Sequence, residues 1–148
     1  MVQVTTKLVP IAERQAQIMR QVERGNIAAL NVLAGAAVDA SPVDTATYIT
    51  SHVVYEGDSL ASIPAFYSSE GREGGQDRGA YEGVTKAKLS AMIEQLDHTQ
   101  GNFMLGNEAE HRGDVEYLHR YAVFAAARAA GPQAVQSAKA AVAGEGTV

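Results

Sequence analysis

The stretch from Ile11 to Val38 reads IAERQAQIMRQVERGNIAALNVLAGAAV, and it decides the fold class of the chain. Its apolar residues recur at spacings of three, four and seven, which is the period of an α-helix; they are Ile11, Ile18, Val22, Ala29, Leu33 and Ala36. Pro10 suits the start of a helix because its missing N–H needs no partner there. The sequence therefore predicts an amphipathic helix over 11–38, although Gly25-Asn26 leaves a kink or a division into two helices open.

This predicted helix is long for a chain of 148 residues. At about 1.5 Å per residue it measures roughly 42 Å, whereas a compact domain of this length has a radius of gyration of only about 15 Å. Such a helix spans the whole domain, and we expect it to contact a neighbouring molecule.

Two later segments have the composition of β-strands. Residues 45–55, TATYITSHVVY, are dense in β-branched and aromatic side chains and predict a strand. Residues 102–107, NFMLGN, are an apolar run bracketed by turn residues and predict a second strand, antiparallel to the first. Between them, residues 56–83 are polar, acidic and rich in glycine, which predicts a long mobile loop.

The remaining segments favour helices. Thr85 is a candidate N-cap for a helix over 85–97, and residues 120–143 predict a mostly helical tail that Gly131-Pro132 interrupts. We therefore expect one α+β domain over 1–148, in which a long N-terminal amphipathic helix packs on a small antiparallel sheet. A second short helix and a helical C-terminal segment complete it.

Composition and charge exclude several classes of function. The chain has no cysteine, which excludes disulfides, thiolate nucleophiles and Cys-containing metal sites. Its net charge is −5, and residues 39–83 hold eight acidic against two basic residues, so tight non-specific binding of duplex DNA is not expected. No apolar run approaches the ~20 residues that cross a bilayer, and no signal-peptide core is present, so we expect no membrane partner and synthesis in the cytoplasm.

One cluster of side chains has the chemistry of metal ligands: Glu108, Glu110, His111, Asp114, Glu116 and His119. The two histidines are eight residues apart and form no H-E-x-x-H pair, which favours a solvated turn. We expect no metal and no cofactor, but a metal-dependent hydrolase that uses His111 and His119 stays open as the alternative from another class.

We expect no catalysis by a serine nucleophile. Ser41, Asp44 and His52 lie close in sequence, but no G-x-S-x-G elbow is present and Asp44 suits a turn or cap. The glycine-rich run 71–79 lacks the G-K-[ST] ending of a phosphate-binding loop. We expect no catalytic residues. A third hypothesis is an adaptor that binds a partner protein through the strand containing Tyr48.

Residues 36–45, AAVDASPVDT, stand between the long helix and the first strand. This arrangement resembles the neck and tail-completion family of long-tailed bacteriophages, the group that includes the lambda minor tail protein Z. Residues 103–107 resemble the second strand and turn of that family, and Val115-Glu116-Tyr117 resembles its later motif. Ala46 and Leu118 stand where the family usually has glycine.

The resemblance implies a structural virion protein without catalysis. Members of the family form a ring that joins the head connector to the tail around the DNA channel, so we expect a hexamer, or alternatively a dodecamer. Its neighbours would be the head connector or stopper and the tail terminator or tube, with DNA only passing through. The location implied is the virion neck or tail top, after assembly in the host cytoplasm. A tail terminator that caps the tube is the alternative within virion assembly.

Two sets of residues follow from this interpretation. The turn motif consists of Ser41, Pro42, Val43, Asp44 and Thr45. The candidate interface residues are Ile18, Val22, Tyr48, Tyr55, Arg72, Arg78, Glu116 and Tyr117. A ring interface joins two different patches, and we expect the helix face on one side and part of the sheet on the other.

Overall fold

The computed structural model describes residues 10–42, 47–57, 78–99, 101–109, 112 and 122–143. Its elements are α1 (Ile11–Ala40), α2 (Thr47–Thr50), β1 (His52–Glu56), α3 (Arg78–Gln95), β2 (Phe103–Asn107), α4 (Val123–Ala129) and α5 (Gly131–Ala143). The predicted α+β class, with a long N-terminal helix and a small antiparallel sheet, is confirmed.

Helix α1 runs for 30 residues and continues through Gly25 as one helix. It begins after Pro10, whose carbonyl accepts the Arg14 N–H at 3.0 Å. At its other end the Ser41 N–H donates to the Val38 carbonyl at 3.1 Å. The division into two helices that Gly25-Asn26 left open does not occur, because Gly25 is buried against α5 and tertiary packing offsets its poor helix propensity.

Strands β1 and β2 pair antiparallel, as predicted, from His52 opposite Asn107 to Glu56 opposite Phe103. The predicted first strand over 45–55 is wrong in its first half, since Thr47–Thr50 form the short helix α2. The Ser51 hydroxyl donates to the Thr47 carbonyl at 2.6 Å, a local bond that competes with strand pairing. This helical turn also buries Tyr48 and Ile49, so packing overrides their β-propensity.

Helix α3 begins at Arg78, well before the predicted start at Thr85. The Arg78 guanidinium pairs with Glu82 one turn on, and its Nη1 donates to the Ser41 carbonyl at 3.2 Å. These bonds anchor a first turn that Gly79 would otherwise disfavour. Thr85 is therefore a buried residue inside α3 rather than an N-cap. Of the predicted mobile loop 56–83, Glu56 belongs to β1, 78–83 belong to α3, and 58–77 lie outside the described residues.

The helical tail is confirmed over 123–143, where Ala130 separates α4 from α5. Pro132 is the second residue of α5, a first-turn position that needs no N–H partner. The interruption predicted at Gly131-Pro132 thus falls one residue earlier, and α5 begins at Gly131 itself.

Helix α1 lies at the centre of the molecule. One core cluster joins α1 to α2, β1 and α3 and consists of Ala34, Val38, Ile49, Val54, Leu89 and Ile93. A second joins α1 to α2 and α4 and consists of Ala37, Tyr48, Ala109, Val123 and Ala127. Helix α5 returns antiparallel along α1, since α4 contacts α1 near Ala37 whereas the end of α5 contacts Gly25. None of the helices in the described ranges has both the length and the apolar character that crossing a membrane requires.

Candidate functional site

A buried polar network joins the end of α1 to both strands. The Ser41 hydroxyl lies 2.7 Å from Nε2 of His52 and donates to the Ala37 carbonyl at 2.7 Å. On the other side of the imidazole, Nδ2 of Asn107 lies 3.4 Å from Nδ1 of His52 and donates to the Tyr48 carbonyl at 2.8 Å. Ser41 and His52 are 1% and 0% exposed, so the network is closed to solvent.

Both ring nitrogens of His52 have polar neighbours. Oδ1 of Asn107 accepts the Ala109 N–H at 2.9 Å, so Nδ2 is the end of the Asn107 amide that faces the imidazole. The Ser41 hydroxyl donates to the Ala37 carbonyl and lies beside Nε2, so each polar atom of the network has a partner within the protein.

The environment keeps His52 neutral. The pKa of His52 is lowered from 6.5 to about 4, mainly because burial disfavours the charged imidazole. A backbone hydrogen bond at Gly106 opposes this shift, and the positive charge of Lys88, whose Nζ donates to the Thr50 carbonyl at 2.9 Å, contributes to it. The rings of Tyr48 and Phe124 stand edge-on to the imidazole, with centroids 5.4 and 6.2 Å away.

A Ser–His pair at this distance also occurs in hydrolases, but this pair is buried. The Ser41 hydroxyl donates to the Ala37 carbonyl, and Ser41 and His52 are 1% and 0% exposed, so a substrate has no access to the hydroxyl in this structure. The network therefore holds the end of α1 against β1 and β2. Sequence spacing flagged Ser41 and His52, while Asn107 was missed because its place depends on the strand register.

The first half of α1 exposes large apolar side chains. Ile11 is 85% exposed, Ile18 is 51% and Val22 is 42%, with Met19 beside them at 40%. At about 100° per residue, the first three fall within roughly 40° of one another around the helix. We call these four residues the α1 stripe. Gly25 lies on the same face of α1 and is covered by α5. The α1 stripe is therefore the part of this face that α5 leaves uncovered.

A groove of about 390 Å³ lies between α1 and α3. We call it the α1–α3 groove, and it is lined by Asn31, Ala34, Gly35, Lys86, Ala87, Leu89 and Ser90. Nζ of Lys86 pairs with Oδ1 of Asp39 at 2.5 Å, one turn of α1 beyond Gly35. A Cβ placed on Gly35 would meet no atom within 4 Å, so the groove is open at this point.

The predicted interface residues lie in different environments. Ile18 and Val22 are exposed on the α1 stripe, and Tyr55 is half-buried. Tyr48 is only 2% exposed, so its ring packs in the core and is not presented to a partner; the partner-binding surface expected at the Tyr48 strand is wrong for that residue. Arg78 is exposed but its guanidinium binds the carbonyls of Asp39 and Ser41.

Several candidate residues lie outside the described part of the chain. They are Val43, Asp44, Thr45, Arg72, Glu116 and Tyr117, together with the histidines His111 and His119. Within the described part, no three His, Asp or Glu side chains come together as a metal site. Sequence reasoning missed Met19 and the α1–α3 groove, whose signal is the pair of small residues Ala34 and Gly35 on α1 together with Ala87 and Ser90 on α3.

No protein-family model matches this chain, and no match was found among curated proteins or solved structures. What the protein does is therefore inferred from its own surfaces and motifs.

Proposed function

We propose that the protein is a structural neck or tail-completion component of a long-tailed bacteriophage, which assembles as a ring through α1. The observation that carries the proposal is the α1 stripe. Ile11, Ile18 and Val22 expose apolar surface on one face of a long helix, where they do not stabilise an isolated monomer. In a subunit of a ring, such a face can be buried against a neighbouring copy.

The turn motif supports the same proposal. Ser41 is the first residue of the Ser-Pro-Val-Asp-Thr segment that resembles the phage family, and it ends α1. Its hydroxyl and carbonyl bind His52 and Arg78, so Ser41 ties the end of α1 to β1 and α3. A motif of this kind has a structural role, which agrees with a protein that builds a ring rather than one that turns over a substrate.

The proposal is tested by the size of the assembly. We expect mass photometry and negative-stain microscopy to find closed rings, in solution at high concentration or on isolated tail tubes. The double variant Ile18→Lys/Val22→Lys places two charges on the α1 stripe and should abolish the rings while leaving the thermal midpoint of the monomer within a few degrees. Val135→Lys alters another exposed valine, 53% accessible on α5, and should leave the rings intact.

Two further results would separate the alternatives. Binding to tail tubes but not to head connectors would favour the tail terminator, and binding to both would favour the neck component. A protein that binds neither contradicts the proposal. A persistent small species that carries stoichiometric divalent metal would instead favour the hydrolase that uses His111 and His119.

A further inference from the structure

We draw no further inference here: the strongest candidate, the exposed apolar α1 stripe on the first half of α1, already belongs to the proposed ring, and nothing in the structure shows which surface covers it.

Discussion

At the scale of single residues, His52 makes the stability of the fold depend on pH. Its pKa is about 4 in the folded protein against 6.5 when unfolded, because burial disfavours the charged imidazole. Between these two values the unfolded chain binds more protons than the folded one, so the free energy of unfolding falls as pH falls. The contribution is fully present above pH 6.5 and is lost progressively down to about pH 4.

The size of this effect can be measured by urea unfolding at pH 7 and pH 4.5. The difference in pKa corresponds to roughly 3 kcal/mol when fully developed. His52→Gln retains a polar amide beside Ser41 but cannot take up a proton. We expect the variant to be less stable at pH 7 and to lose distinctly less stability than the wild type on acidification. Equal losses in the two proteins would show that His52 does not control this dependence.

The residues of this network differ in how far sequence could predict them. Ser41 and His52 are eleven residues apart, and their closeness in sequence was visible. Asn107 is 55 residues from His52 and joins them only because β1 and β2 pair in one particular register. The burial of Ser41 and His52, which argues against a catalytic pair, depends on packing between elements that no spacing rule specifies.

At the scale of elements, the two glycines of α1 have opposite surroundings. A Cβ on Gly25 would lie 3.5 Å from Cγ2 of Val142, in ordinary contact with α5, whereas a Cβ on Gly35 would meet nothing within 4 Å. A larger side chain at Gly25 must therefore push α1 and α5 apart, and overpacking of this kind costs about 1–3 kcal/mol. At Gly35 it points into the open groove and adds helix propensity worth roughly 0.5–1 kcal/mol.

We expect Gly25→Leu to lower the free energy of unfolding and Gly35→Leu to leave it unchanged or raise it slightly. Urea unfolding of the two variants and the wild type in the monomeric state checks both. The pair is matched because the same substitution is made in the same helix. If Gly25→Leu proved as stable as the wild type, α5 would not be packed against α1 as described.

The boundaries of the elements differ in whether local sequence or tertiary contacts determine them. Periodicity predicted α1 correctly over 28 of its 30 residues, since a long amphipathic helix is specified by its own pattern. Residues 47–50 have the composition of a strand, yet a helical turn forms because Tyr48 and Ile49 can then enter the core. The start of α3 depends on Arg78 reaching the carbonyls at the end of α1, a long-range contact that local sequence does not contain.

At the scale of the whole molecule, α1 is covered unevenly. Its later part is enclosed by α3, α4 and α5, whereas residues 11–20 are exposed apart from the half-buried Gln17. The apolar stripe was visible in the sequence, but which part of it α5 covers was not, because that depends on where α5 ends. The α1–α3 groove likewise arises only when two helices distant in sequence meet.

Hydrogen exchange distinguishes the covered from the uncovered part of α1. An isolated helix shorter than about 12–15 residues is marginal in water, so amides of residues 11–20 should exchange much faster in the monomer than those of residues 26–38. When the rings form, docking of the α1 stripe should slow exchange in 11–20 by at least about tenfold, a factor that corresponds to ~1.4 kcal/mol. Residues 26–38 serve as the internal control, since the core already protects them.

Which peptides gain protection together is more informative than the exchange rate of any single peptide. Peptides from the surface that receives the α1 stripe in the neighbouring copy should gain protection together with 11–20. Protection that rises in 11–20 alone is the result expected if the α1 stripes of two copies pack on each other. Uniform protection along α1 in the monomer would show that the helix end is already covered, and the force that drives ring formation would then have to come from another surface.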